Sequence, residues 1–154
     1  MKKLWPSLLL GGILMIGLSA CDPAAPVAEA AAGEKEESRL MINMTSDPME
    51  DPHSILMGLH LAQNVMKQGM PATVFLNVHG VKLMLAEAED LSFQDENLRA
   101  VLSEILESGG QVLICPHCME AHGVTEERLM EGVTVSEPSI MMETLRASPT
   151  VFTY

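Results

Sequence analysis

Basic charge is scarce in this sequence: nine Lys and Arg stand against 21 Asp and Glu, for a formal net charge of −12. So acidic a chain repels phosphate backbones and anionic headgroups. That excludes nucleic acid as a partner and a basic patch as a membrane anchor. Long apolar runs are missing too. The uncharged stretch from Leu8 to Leu18 is about half the roughly 20 residues a membrane-crossing helix needs. No Gly-rich phosphate loop, Ser/His/Asp set or carboxylate pair stands out, and no cofactor is implied. Cysteine is scarce, with three residues in 154, and the placing of those three carries most of the functional information.

Lys2 and Lys3, the apolar run, and the small residues Ser19 and Ala20 before Cys21 follow the order of a secretory signal. The tetrapeptide Leu18-Ser19-Ala20-Cys21 resembles the bacterial lipobox. The resemblance implies cleavage before Cys21, a diacylglycerol on its sulfur and an acyl chain such as palmitate on its new amine. Two or more such chains anchor stably, at about 0.8 kcal/mol per buried methylene. Residues 1–20 are thus expected to be a lipoprotein signal peptide. Asp22 resembles the retention signal of enteric-type lipoproteins, which implies the periplasmic face of the inner membrane. Residues 21–37 comprise the lipidated Cys and an Ala/Pro/Glu-rich stretch without apolar period, read as a flexible tether. Residues 38–154 remain, enough for one domain with one core.

Within that domain, strand-like and helix-like segments alternate. Leu40–Met44 reads as a strand, and His53 to Gln68 as a helix whose stripe is Ile55, Leu59, Ala62 and Met66, ended by Gly69. Thr73–Leu76 is a second strand, followed by a shorter helical stretch around Val81–Glu87. Ser92 or Asp95 is expected to cap the next helix, with the stripe Leu98, Val101, Leu102 and Ile105 and a close at Gly109-Gly110. Gln111–Ile114 is a third strand, and a short helix then runs to Gly123. A small helix over Thr125–Met130, a strand at Val133–Val135, a helix from Pro138 to near Ala147 and a strand at Thr150–Tyr154 complete the pattern. Such alternation predicts an α/β fold with a mostly parallel sheet covered on both faces.

In sheets of this kind the working residues gather beyond the carboxyl ends of the strands. Cys115 falls at the end of the third strand and at the mouth of a helix, with Cys118 one turn on. A thiol so placed meets the positive end of the helix dipole and free backbone N–H groups, which favour thiolate. His53 after strand one, and Asn77 and His79 after strand two, fall on the same rim. With His117, the histidines are candidates for proton transfer, and Asn77 joins them as a candidate for substrate binding.

The segment from Val112 to Val124, VLICPHCMEAHGV, resembles the cysteine segment of the DsrE/TusD/YchN-like (DsrE) family: a hydrophobic strand, a Cys, a short helix, and a Gly eight residues after that Cys. Cys115 and Gly123 keep that spacing, and Cys118 matches the two-cysteine subgroup. The Leu40–Asn43 strand, the Asp51-Pro52-His53 turn, the Thr73–Asn77 segment and the closing strand fit the same pattern, so the resemblance spans residues 38–154. It implies a three-layer α/β/α fold with a mostly parallel five-stranded sheet, usually assembled as a homo-oligomer. It also implies relay of sulfane sulfur between donor and acceptor proteins or small sulfur compounds. Cys115 would then hold the persulfide, with Cys118 as a resolving or second carrier thiol. An arginine-rich stretch found after the cysteine helix in some relay members is absent here, with Glu120 and His122 in its place. Export and acidity exclude a role in tRNA thiolation.

Two other readings compete. Cys-Pro-His-Cys is also the active-site sequence of oxidising thioredoxin-class proteins, so Cys115 and Cys118 could cycle between dithiol and disulfide. Against the full thioredoxin fold, the motif follows two βα units instead of an early strand. The second reading is a soft-metal site for copper or zinc, using Cys115 and Cys118 with His117 and His122 as added ligands. A lone C-x-x-C is weak support for it. His53, Met57 and His60 share a helical face, but so do Asn64 and Lys67, which marks an ordinary solvated surface.

Overall fold

The computed structural model describes residues 38–148 and 150–154. The proposed signal peptide, Cys21 and the tether lie outside the described residues. No helix among the described residues is long and apolar enough to cross a membrane.

Strand β1 (Leu40–Met44) leads through a loop into α1 (Pro52–Lys67). Asp51 caps α1 by accepting from Ser54 N at 3.0 Å, and Pro52 takes the first turn, where its missing N–H costs nothing. Strand β2 (Ala72–Leu76) follows. The helical stretch expected around Val81–Glu87 is instead two 3₁₀ turns, Gly80–Met84 and Ala86–Ala88. A two-stranded hairpin comes next, β3 (Ser92–Phe93) and β4 (Glu96–Asn97), turning on Gln94 and Asp95, both at positive φ. That hairpin consumes Ser92 and Asp95, the caps expected for the next helix. Asn97 caps α2 (Leu98–Glu107) instead, through Ala100 N.

Strand β5 (Gln111–Ile114), helix α3 (Pro116–His122), strand β6 (Val133–Val135), helix α4 (Pro138–Ala147) and strand β7 (Thr150–Thr153) complete the chain. The small helix expected over Thr125–Met130 is one 3₁₀ turn, Glu126–Arg128. All five main strands run parallel, in the order β6-β5-β2-β1-β7. This is the α/β architecture that the alternating pattern requires.

The order also fixes the layers. Connections from β1 through β2 and β5 to β6 step one way across the sheet, and the β6-to-β7 connection steps back. Right-handed crossovers then put α4 on the face opposite α1 and α2. The first face carries the main core: Ile42, Met44, Val74, Leu76 and Ile114 meet Ile55, Leu56 and Leu59 of α1 and Leu98, Leu102 and Ile105 of α2, all essentially inaccessible. Each such side chain contributes about 1.5–3 kcal/mol of burial. The second face holds buried Met41, Leu113 and Thr73, the last donating to Gln111 Oε1 at 2.9 Å. Met142 and Leu145 of α4 and Val151 and Phe152 of β7 stay exposed. The sheet's β7 end and the outside of α4 thus present uncovered apolar surface.

Candidate functional site

Three loops converge at the carboxyl ends of β1, β2 and β5. Cys115 directly follows β5, where its backbone N–H is held by Leu76 O at 3.0 Å and its own carbonyl starts α3 by accepting Met119 N at 2.9 Å. At the other end of α3, Gly123 adopts φ 68°, and Val124 N returns to Met119 O at 2.9 Å. This left-handed cap suits glycine, and buried Met119 and Val124 pin both sides of it to the core. The two turns of α3 are therefore fixed against the sheet, and with them the separation of the thiols. Both cysteines are free and partly exposed.

The Cys115 side chain makes no capping hydrogen bond, and α3 has only seven residues. The expected help to Cys115 from free N–H groups is thus not expressed as a bond to its sulfur. Cys118 has defined partners. Its Sγ lies 3.2 Å from Asn77 Oδ1, where the thiol donates to the amide oxygen. Burial pushes its pKa up, and the hydrogen bond and charge interaction with Cys115 add to this; the Val78 backbone N–H pulls the other way without reversing it. The upward shift and the bond to Asn77 both favour the thiol form of Cys118.

Asn77 reaches this position because its N–H continues the sheet edge to Met44 O at 2.8 Å. The next residue, Val78, has φ 49° and is 43% exposed. A β-branched residue in the left-handed region is an outlier costing about 1–3 kcal/mol, a strain that clusters at functional sites. Nothing in the pattern of the sequence marked it.

Of the other expected rim residues, His79 places its ring 5.1 Å from that of His122, the two planes tilted by 56°. His117 is exposed between the two cysteines. His53 is turned away: its ring stacks 4.9 Å from Phe93 of the hairpin. The hairpin, invisible in the apolar period, supplies that partner. It also claims His60, whose Nε2 meets Glu96 Oε2 at 3.0 Å. Among the described residues no group of three or more His, Cys, Asp or Glu is placed to hold a metal ion. The alternative set Cys115, Cys118, His117 and His122 is thus not gathered around one point. A groove of about 580 Å³ between α1 and α2, lined by His60, Gln63, Glu96 and Glu104 among others, includes neither cysteine.

Beside His79, Lys82 pairs with the nearly buried Asp47. Burial raises the Asp47 carboxyl, but hydrogen bonds from Lys82 and Met49 N, with the charges of Lys82 and His79, hold it below the ordinary 3.8. A depressed carboxylate stabilises the fold above its unfolded pKa, and the contribution is lost as pH falls through the folded value. Asp47→Asn is therefore expected to be less stable than wild type in urea melts at neutral pH. The gap should close as the pH drops below about 4; a gap constant with pH would contradict the pairing.

Comparison with known proteins fits this geometry. The DsrE/DsrF-like family model matches residues 39–154. This chain belongs to that family. Membership suggests a sulfur-relay type of role. An uncharacterised protein of Methanocaldococcus jannaschii, MJ0989, is 27% identical over 96 residues, covering 62% of this chain and 82% of that protein. Among solved structures, YchN of E. coli superposes with a TM-score of 0.65 at 18% identity, covering 76% of this chain and 99% of that one. MTH1491 of Methanobacterium thermoautotrophicum gives 0.58 at 18% identity, with 76% and 99% covered. BT1422 of Bacteroides thetaiotaomicron gives 0.55 at 22%, with 76% and 95% covered. At these identities the structural neighbours establish the shared DsrE-like α/β fold.

Proposed function

We propose that this DsrE-family protein is a sulfane-sulfur carrier of the cell envelope, loading on Cys115 and tethered to a membrane by lipid on Cys21. The observation that carries the reading is the pair itself. A partly exposed Cys115 stands at the end of β5, and one turn on is a second thiol that donates to Asn77 Oδ1 and adjoins it. In the loading step the Cys115 thiolate attacks the outer sulfur of a donor persulfide. The donor's S–S bond breaks, the donor thiolate leaves, and a new S–S bond forms on Cys115 with no net oxidation or reduction. In hand-off an acceptor thiolate attacks that outer sulfur and Cys115 leaves as thiolate. The Cys118 S–H, bonded to Asn77 Oδ1 in the resting protein, swings from that oxygen to donate to the departing sulfur. His79 and His117 are the imidazoles for proton transfer on this rim, while the His53 ring is engaged by Phe93.

The uncovered apolar residues Val151, Phe152, Met142 and Leu145 favour a homo-oligomer as the working form. Donor and acceptor are proteins or small sulfur compounds that can reach an acidic surface.

The test is to incubate the detergent-solubilised full-length protein with inorganic polysulfide and count cyanide-labile sulfur. About one equivalent per chain, lost on adding a thiol reductant, supports the carrier. No labile sulfur together with a Cys115–Cys118 disulfide would replace it with the dithiol redox reading; stoichiometric zinc or copper on the purified protein would favour a metal site. The anchor has its own test. Cys21→Ser is expected to leave the precursor uncleaved and unlabelled by radioactive palmitate, and normal processing of that variant would refute the lipoprotein assignment.

A further inference from the structure

The amide of Asn77 has its orientation fixed by its neighbours. Oδ1 accepts from Val78 N at 2.8 Å, and Nδ2 faces Asn43 Oδ1 at 3.5 Å. A flipped amide would set its NH₂ against the Val78 N–H, so the oxygen is the end that meets Cys118. Asn43 in turn faces Thr153 Oγ1 at 3.5 Å. A line of polar groups thus runs across the carboxyl ends of β7, β1 and β2 to the Cys118 sulfur. An amide oxygen is an acceptor only, so the 3.2 Å contact requires Cys118 to carry its proton. The strained Val78 peptide belongs to the same arrangement, since its N–H is what holds Oδ1 in place.

We propose that Asn77 is a positioning residue that keeps Cys118 as a thiol and so protects a sulfane sulfur on Cys115 from attack by its own neighbour. This rests on the carrier reading above. The reaction it suppresses is defined. A Cys118 thiolate attacking the Sγ of a Cys115 persulfide forms the Cys115–Cys118 disulfide, breaks the bond to the outer sulfur and expels it as hydrosulfide. The outer sulfur gains two electrons, and the two cysteine sulfurs together lose two. A carrier with two thiols one helical turn apart destroys its cargo by this route unless the second thiol is held protonated. The charge that acts on Cys118 is that of Cys115, and the imidazoles on the neighbouring segments are His117 and His122 on α3 and His79 after β2.

The experiment follows the persulfide of polysulfide-loaded full-length protein in detergent, reading cyanide-labile sulfur, released hydrosulfide and disulfide over time. In Asn77→Ala the persulfide is expected to decay about tenfold faster, the effect of losing about one hydrogen bond that stabilises the thiol form of Cys118. Hydrosulfide and disulfide should appear in equal amounts. The double variant Asn77→Ala/Cys118→Ala is expected to return to the wild-type lifetime, and Asn77→Asp, which keeps an acceptor at the site, to stay near it. Unchanged decay in Asn77→Ala overturns the proposal, as does fast decay that survives loss of Cys118, because a merely structural role predicts the latter. A second readout needs no sulfur. The pH profile of Cys118 alkylation in a Cys115→Ser background should move to lower pH with Asn77→Ala, and an unmoved profile sinks the assignment of Asn77. Failure of wild type to load overturns the carrier reading instead, so the two failures are told apart.

Discussion

Cys115→Ser is expected to reduce the uptake of sulfane sulfur to background. The substitution changes little else: the backbone of Cys115 is held by Leu76 O and by the first bond of α3, and neither uses the sulfur. A hydroxyl of similar size can occupy the site, but it is not appreciably ionised at neutral pH and lacks the sulfur nucleophile that opens a persulfide bond. Thermal unfolding of Cys115→Ser should therefore match wild type while its cyanide-labile sulfur disappears. Cys118→Ala should behave differently. It retains loading but slows hand-off by about tenfold or more, on the order of one hydrogen bond to a charged sulfur. Equal loading of the Cys115→Ser and wild-type proteins would remove Cys115 from the mechanism.

The largest expected loss of stability from a single methyl group is at Gly80. A Cβ there would stand 2.3 Å from the Met44 carbonyl oxygen and 2.9 Å from its carbon, both backbone atoms at the end of β1. No rotamer relieves such a contact, so β1 and the segment after β2 must separate. Met44 O is also the acceptor for Asn77 N, so the displacement passes into the thiol site. Gly80→Ala is expected to lose stability at or beyond the top of the roughly 1–3 kcal/mol range of overpacking. Its Tm should fall on the order of 10 °C, and its persulfide should be shorter-lived. A melting curve superimposable on wild type would contradict the close approach.

The main sheet was legible because its signals are of the strong kind. The stripes Ile55, Leu59 and Ala62 on α1 and Leu98, Val101, Leu102 and Ile105 on α2 are buried as their period requires, while Met66 at the end of the α1 stripe is half-buried. Cys115 at a strand end and Gly123 at the close of its helix followed from the alternation of elements and appear where expected. The β3–β4 hairpin was missed because two-residue strands carry no alternation, and the positive φ of Gln94 and Asp95 has no glycine to announce it. Its absence from the reading also misplaced the cap of α2 and the company of His53. The Asn77–Cys118 bond joins residues 41 positions apart. Asn77 was expected on the rim, but its choice of Cys118 depends on the strained Val78 peptide, which no sequence pattern records.

The central claim, that Cys115 holds the sulfur, is tested most directly by locating the added atom. No Lys or Arg lies between Arg99 and Arg128, so both thiols of the pair fall on one tryptic peptide and the assignment must come from its fragment ions. Fragmentation of that peptide after polysulfide treatment is predicted to place the extra sulfur on ions that contain Cys115 and exclude Cys118. An extra sulfur found only on Cys118, or on neither residue in a protein shown to be reduced and folded, would contradict the account.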